Sequence, residues 1–224
     1  TNAATGILNT AGEMNATEIV LGLHHKHGML DSFLGSFAQS ILKGTHRQMM
    51  VVKCLMPVNT MRRLMVAVPP KAEFEAGFYK WVERLARIGG QLGCRVHFWA
   101  HPDTILRING YLKKFHGNVR VEFSPMDDWD DLLLMSSKVA YDHLVVIVSA
   151  RKGAISYQSS FEELPTQITK YFSNCSLMLI YPDQLGDPLE NLTFSSPRGQ
   201  SENPIYDHVS KWVYKWMKKG EEQA

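Results

Sequence analysis

The sequence predicts an α/β protein with a doubly wound, mostly parallel five-stranded sheet, preceded by a partial copy of the same fold. Short apolar runs alternate with amphipathic helical patterns along the chain, which is typical of strand–helix–strand units. The run 144–148 is apolar throughout, as strands buried on both faces of a parallel sheet are. An internal repeat relates an early segment to a late one.

β-branched and apolar runs predict seven strands, over residues 18–23, 48–54, 63–68, 94–100, 118–123, 143–148 and 175–181. Helical periodicity predicts five helices between and before them, over residues 5–15, 74–92, 103–115, 127–139 and 161–171. The clearest helix places six apolar side chains on one stripe: Phe74, Phe78, Trp81, Val82, Leu85 and Ile88. We expect Pro102 to begin one helix and Pro165 to disturb another.

The repeat relates residues 18–57 to residues 142–182, and both segments follow the order strand, glycine loop, helix, strand. Gly28 aligns with Gly153 and Pro57 with Pro182, both at an offset of 125 residues. Three predicted strands precede the second copy, but only one helix precedes the first. We therefore expect three parts. Residues 1–60 form the C-terminal half of a first domain, 61–183 a complete second domain, and 184–224 a loop with an amphipathic helix.

Composition excludes several classes of protein. The net charge is only +2, so the electrostatic footprint of a nucleic-acid binder is absent. No apolar run reaches the roughly 18 residues of a membrane helix. Cys54, Cys94 and Cys175 each lie in an apolar run and predict buried, reduced thiols of a cytoplasmic protein.

One loop carries the residues of a possible anion site. Gly22, His25, Gly28, Gly35 and Ser36 lie between a predicted strand and the start of a helix. Backbone N–H groups at a helix N-terminus, approached closely through glycines, form a cradle for anions. The Ser36 hydroxyl is a further donor to phosphate.

The spacing resembles the nucleotide-binding signature of the universal stress protein family, in which glycines are separated by two and nine residues and followed by Ser or Thr. Gly22, Gly35 and Ser36 match it, and Gly28 matches an additional glycine often found there. His25 stands in place of the second glycine. The resemblance implies a sheet of order 3-2-1-4-5, no metal and no catalytic residue. It implies no obligatory cofactor, with ATP or another adenine nucleotide as the alternative.

The second copy departs further from that signature. It keeps Gly153, but Phe161 and Glu162 stand where the first copy has Gly and Ser. Pro69 lies near the position of the family's adenine-binding aspartate. We expect this copy to have the family's fold without its nucleotide site.

The run 16–26, the tandem arrangement and the terminal helix resemble the cytoplasmic tail of bacterial cation/proton (sodium/hydrogen) antiporters. The resemblance implies a regulatory domain on the cytoplasmic side of the inner membrane, with no catalysis of its own. Its partner is then the transmembrane part of the same polypeptide. The alternative is a free-standing tandem stress protein that binds adenine nucleotide.

The C-terminal helix, predicted over residues 204–219, admits two interpretations. Its apolar side includes Trp212 and Trp216, and lysines lie elsewhere on it. Such a helix either docks on the body of the protein or contacts a membrane surface or a partner.

The histidine cluster and two other groups keep alternatives open. His24, His25 and His27 form a polar loop, a sensor of pH or anions, or a metal site with Asp31. The pattern of four acidic residues is more typical of the first turn of a helix than of an acid–base or cation site. These residues are Asp127, Asp128, Asp130 and Asp131. Arg151 and Lys152 indicate a solvated loop or an anion contact.

The partial first copy has a consequence for association. In the family's fold the first strand pairs with the fourth, so the strand over 18–23 is expected to have an unpaired edge. Exposed edges recruit other strands. We therefore expect the chain to form a homodimer or to cover this edge with its own residues.

Overall fold

The computed structural model describes residues 2–22 and 34–185. The chain divides into two compact units, Thr1–Gln184 and Leu185–Ala224. Of the second unit only Leu185 is described, so the helix predicted over 204–219 lies outside the described residues. The predicted domain boundary between residues 60 and 61 stays a prediction. Within the described ranges, no helix has the length and apolarity needed to cross a membrane.

The first unit contains a single seven-stranded sheet. Its strands are β1 Glu18–Gly22, β2 Gln48–Lys53, β3 Arg63–Ala67, β4 Arg95–Ala100, β5 Val121–Pro125, β6 His143–Val148 and β7 Ser176–Tyr181. They lie in the order β1-β2-β7-β6-β3-β4-β5. All neighbours are parallel except β2 and β7. The last five strands therefore have the predicted 3-2-1-4-5 order, which confirms the doubly wound fold.

The antiparallel junction of β2 and β7 joins the two copies into one sheet. It runs from Met49 opposite Tyr181 to Lys53 opposite Leu177. Because antiparallel neighbours are related by a local twofold axis, the two copies meet through equivalent edges. The strand–helix–strand order of the predicted repeat is thereby seen in both copies.

The offset of 125 residues that aligns Gly28 with Gly153 and Pro57 with Pro182 does not extend to the strands. It would match Ile19 with Leu144, but these side chains pack in opposite layers, and Ile19 shares its layer with Val145. Ile19 and Val145 are 126 residues apart, and a shift by one residue matches side chains on opposite faces because side chains alternate along a strand. The second copy also has a longer connection, since Ile19 pairs with Met49, 30 residues on, and Val145 with Leu177, 32 residues on.

Six α-helices of the described ranges flank the sheet: α1 Ala3–Glu13, α2 Gly35–Gly44, α3 Phe78–Leu92, α4 Pro102–Phe115, α5 Leu132–Ser136 and α6 Leu164–Tyr171. Side chains of α1, α2, α5 and α6 pack on one face of the sheet, and those of α3 and α4 pack on the other. Trp129, before α5, and Trp81, in α3, are fully buried in the two layers. Pro102 begins α4 as predicted, because a first-turn proline has no helical N–H bond to lose.

Three predicted helices differ from the observed ones. The helix over 74–92 begins only at Phe78, and Phe74 lies in a separate 3-10 turn with 65% of its surface exposed. The helix over 127–139 is a 3-10 turn followed by the short α5. Pro165 lies in the first turn of α6, where a missing N–H costs nothing, so it begins this helix and does not disturb it.

The prediction of three buried thiols is wrong in one case. Cys94 is buried and Cys175 is half-buried, but Cys54 is exposed just after β2. All three are free, as predicted. Cys54 is exposed because β2 ends one residue earlier than the apolar run that contains it.

Candidate anion-binding loops

The loop of the first copy is described only at its two ends. Gly22 is the last residue of β1 and pairs with Val52 of β2. Gly35 and Ser36 begin α2. His25 and Gly28 lie outside the described residues. So does the rest of the histidine cluster with Asp31, and its pH, anion and metal alternatives stay untested.

The described ends of this loop are open and carry no negative charge. Gly35 has φ +64°, a left-handed conformation that favours glycine. A Cβ atom at Gly22 or Gly35 would have no neighbour within 4 Å among residues 2–22 and 34–185. The N-cap residue Leu34 makes no side-chain capping bond, and the first turn of α2 has no acidic residue. The N–H groups of this turn, together with the exposed Ser36, suit an anion.

In the second copy the corresponding glycine position belongs to the hydrophobic core. Phe161 retains only 8% of its surface exposed and packs edge-to-face on Trp129, with ring centroids 4.8 Å apart. A second edge-to-face contact, with Tyr157, has centroids 5.8 Å apart. The phenylalanine therefore stabilises the loop by packing, where a glycine would leave space for a ligand.

The neighbouring Glu162 brings negative charge to this loop. Its Oε1 atom lies 3.0 Å from the Lys152 Nζ atom, and both side chains are mostly exposed. The hydrogen bond from Lys152 lowers the pKa of Glu162, so the carboxylate is charged at neutral pH. A phosphate would meet this charge where the first copy presents the Ser36 hydroxyl.

A second carboxylate closes the crevice at the carboxyl ends of β3 and β6. Ligands of doubly wound sheets bind at this point, where the strand order reverses. Here Glu75 Oε1 accepts hydrogen bonds from the Ser156 backbone N–H at 2.9 Å and from Ser156 Oγ at 2.7 Å. Pro69, which lies two residues after the end of β3 and near the position of the family's adenine-binding aspartate, is buried. The protein's own carboxylate thus takes donors that a bound anion would otherwise use.

Glu75 was missed by the sequence analysis, and the chain offers little signal for it. Its partner Ser156 is 81 residues away, and Glu75 itself lies outside both copies of the repeat. An acidic residue in a polar turn is by itself typical of a solvated loop. Only the sheet order brings the two loops together.

Arg151 corrects the prediction of a solvated loop after β6. It is half-buried, and its Nη1 and Nη2 atoms donate to the carbonyl oxygens of Leu42 at 2.6 Å and Arg47 at 2.8 Å. Burial lowers the pKa of Arg151 because the charged form loses water. This side chain ties the loop of the second copy to the end of α2 in the first copy, whereas Lys152 is exposed as predicted.

The acidic cluster caps a turn, as predicted. Asp128 Oδ1 accepts from the Trp129 N–H at 2.7 Å, and Asp131 Oδ2 accepts from the Asp128 N–H at 3.4 Å. These reciprocal bonds satisfy donors at the start of the turn. In the described part of the chain, no group of His, Cys, Asp and Glu side chains has an arrangement that could hold a metal.

Comparisons with known proteins agree with this architecture. Residues 1–53 match the universal stress protein family. No curated protein matches the chain in sequence. The family match includes α1, β1, α2 and β2, and therefore the whole loop from Gly22 to Ser36.

Among solved structures, a universal stress protein from Archaeoglobus fulgidus superimposes with a TM-score of 0.51 at 12% sequence identity. The match covers 81% of this chain and 66% of that protein, just under two thirds of its length. A putative universal stress protein from Pseudomonas aeruginosa, at 14% identity, gives a TM-score of 0.48 over 84% of this chain and 72% of that one. The chain therefore has the fold of the universal stress proteins, and its first 53 residues match that family in sequence.

Proposed function

We propose that this chain is a cytoplasmic regulatory domain of a cation/proton antiporter, with the first copy as its sensing half and the second copy as a structural partner. The proposal includes no catalysis by the chain itself. The antiporter assignment is supported by the resemblance of residues 16–26 and by the tandem arrangement. The sensing role is supported by one observation, the contrast between the two loops.

The two loops differ in the open space around their backbone and in the number of nearby carboxylates. In the first copy a Cβ atom at Gly22 or Gly35 would meet no atom of the described part of the chain, and the first turn of α2 has no acid. In the second copy Phe161 fills the space, and Glu75 occupies donors at the crevice. Among the described residues, the start of α2 therefore has open space and no acid, whereas the corresponding position of the second copy is filled by Phe161 and lies next to Glu162.

The contacts of Arg151 offer a way for such a signal to reach the second copy. A ligand that binds one state better than another shifts the equilibrium between them. Binding at the start of α2 would act on a helix whose far end, at Leu42, accepts a hydrogen bond from Arg151. The second copy would then respond to occupation of the first.

The coding sequence upstream of Thr1 tests the antiporter assignment most directly. We expect it to encode several apolar spans of about 20 residues each. Proton-driven cation exchange by that full-length protein, measured in everted membrane vesicles, should change its ion dependence when residues 1–224 are removed. An upstream sequence with no apolar span, or exchange unaffected by the removal, would contradict the proposal.

The second candidate function, adenine nucleotide binding by a free-standing tandem protein, is favoured by the left-handed Gly35 followed by Ser36. Calorimetric titration of MgATP into the 224-residue chain separates the candidates. Saturable heat would favour the second candidate, which requires it, and Gly35→Asp should then weaken binding at least about tenfold. The new carboxylate would face the phosphates and would strain a backbone at φ +64°.

Gly110→Asp is the matched control, because Gly110 lies in α4, a helix of the opposite layer, and also has open space around its Cα. The same charge is added there without touching the loop. Equal loss of heat in both variants would refute a site at Gly35, and heat that both variants retain would do the same.

We further propose that a second copy of the chain covers the free edge of β1. Among the described residues β1 pairs with β2 on one side and with no strand on the other, and Val20 is 58% exposed. The corresponding strand of the second copy, β6, has β3 on that side. Light scattering should give about twice the chain mass of 25.4 kDa, and Val20→Lys should restore the single-chain mass. A single-chain mass for the unchanged protein would contradict this.

A further inference from the structure

A cavity of about 600 Å³ lies between α2 of the first copy and α6 of the second. Leu179 and Tyr181 of β7 line it, next to the antiparallel junction with β2. No residue of β3 or of the segment 68–77 lines the cavity. Residues 149–152 and Tyr157 of the loop after β6 do line it, so the cavity shares that loop with the crevice next to Glu75.

The wall of this cavity is mainly apolar. Its aliphatic residues are Leu34, Leu42, Leu164, Pro165, Ile168 and Leu179. Leu164, Ile168 and Leu179 each retain 4% or less of their surface exposed. A ligand that buries a hydrocarbon group against them would gain the hydrophobic free energy of that contact.

The polar part of the lining carries more positive than negative charge. It includes three cationic side chains, Lys43, Arg151 and Lys152, and one carboxylate, Glu162. Lys152 is paired with Glu162, whose charge it offsets. Lys43 and Arg151 then remain as lining cations that are not paired with Glu162. The buried Asp183 carboxylate, which is not part of the lining, also acts on Arg151 by its charge.

Arg151 is held in place and still has a donor to offer. Its two terminal nitrogens are fixed by the carbonyl oxygens of Leu42 and Arg47, which are neutral acceptors. Its Nε atom is buried and has no hydrogen-bond partner among the described residues. A buried donor without a partner is costly, and an anionic acceptor would satisfy it.

Two hydroxyl groups that bond to each other leave one neutral donor in the lining. Burial raises the pKa of Tyr181 to about 12, so its hydroxyl stays protonated at neutral pH. It shares a hydrogen bond with Ser149, which is also buried and also lines the cavity. A hydroxyl donor and cations on a largely apolar wall suit a head group with one or two negative charges.

We propose that this cavity binds a small amphipathic anion, with its hydrocarbon body against α6 and its carboxylate or phosphate head at Arg151 and Lys43. The volume lies within the range of about 300–1,000 Å³ that is typical of small-molecule sites. Because α2 and α6 belong to different copies, the ligand would contact both and stabilise their junction. This site is additional to the loop at Gly35 and does not depend on the proposed function.

Four probes test the required chemistry on the 224-residue chain by calorimetry: decanoate, decyl phosphate, decanol and inorganic phosphate. We expect saturable binding of decanoate or decyl phosphate, and binding of decanol at least about tenfold weaker, since it lacks the charge. Whichever anion binds more tightly identifies the head group. Equal binding of decanol, or binding of inorganic phosphate as tight as that of decyl phosphate, would overturn the proposal.

Variants then locate the binding site. Lys43→Ala should weaken binding about threefold, as expected for an exposed ion pair. Arg151→Gln should weaken it about tenfold or more, because a charged hydrogen bond is lost. Ile168→Phe should abolish binding by filling the cavity. The control is Lys113→Ala, an exposed lysine on α4 of the opposite layer, which should leave binding unchanged.

Arg151→Gln also removes two bonds between the copies, so its thermal unfolding must be measured beside its binding. If that variant does not fold, the comparison of Lys43→Ala with Lys113→Ala still shows whether the anion binds in this cavity. Equal effects of the two lysine variants, or binding retained by a folded Ile168→Phe protein, would show that the anion binds elsewhere.

Discussion

Replacing Phe161 by alanine will lower the free energy of unfolding by about 3–4 kcal/mol. Phe161 is buried in the layer that contains α5 and α6, and its ring packs edge-to-face on the fully buried Trp129. Truncation removes buried apolar surface, leaves a cavity beside Trp129 and loses the aromatic pair. This is the cost of restoring a small residue where the family signature has glycine.

Urea unfolding followed by tryptophan fluorescence measures the change, and Phe74→Ala is the matched control. Phe74 is 65% exposed, so the same truncation there should cost less than about 1 kcal/mol. Losses of similar size in the two variants would mean that Phe161 does not belong to the core. MgATP should not bind to the second copy of the Phe161 variant, because Glu75 still occupies the donors of Ser156.

Replacing Gly77 by alanine will destabilise the protein by about 2–3 kcal/mol. A Cβ atom at Gly77 would lie 2.5 Å from both the backbone N and the backbone O of Asp183. Backbone atoms cannot rotate away as a flexible side chain can, so the segments before α3 and after β7 must separate. Their separation would also disturb the Asp183 carboxylate, which accepts from the Gln48 N–H at 3.3 Å and pairs with Lys80.

Gly90→Ala provides the control for this prediction within the same helix, α3. A Cβ atom there would meet only the Val119 Cγ2 atom, at 3.6 Å, which is an ordinary contact. Alanine has the higher helix propensity, so this variant should gain up to about 1 kcal/mol in the free energy of unfolding. Chemical denaturation of both variants measures these changes in the free energy of unfolding. A Gly77→Ala protein as stable as the unchanged protein would contradict the close contact with Asp183.

The strands were the most predictable elements, for a local reason. A continuous apolar run such as His143–Val148 must be buried on both faces of the sheet, and the observed strand has the predicted ends. Helix boundaries were less predictable because they depend on contacts that periodicity does not report. Phe74 continues the apolar stripe of α3 in sequence, but α3 begins only at Phe78, and Phe74 lies exposed in the 3-10 turn before it.

The residues of the candidate site also include one that the sequence could predict and two that it could not. The left-handed Gly35 at the start of α2 was predictable, since a glycine between a loop and a helix is the residue that this conformation favours. Arg151 and Glu75 were not, because their partners lie 81 to 109 residues away. No spacing within a loop indicates which distant donor or carbonyl it will meet.

By itself the sequence determined the alternation of strands and helices, the existence of two copies and the loss of the glycine signature from the second. Each of these depends on side-chain type and spacing within about 40 residues, where periodicity and backbone preference act. Tertiary structure alone decided three things. The copies meet through antiparallel β2 and β7, Glu75 closes one crevice, and a charged cavity opens between α2 and α6. These features arise where distant segments pack together, and the free energy of such contacts depends on geometry that the order of residues does not contain.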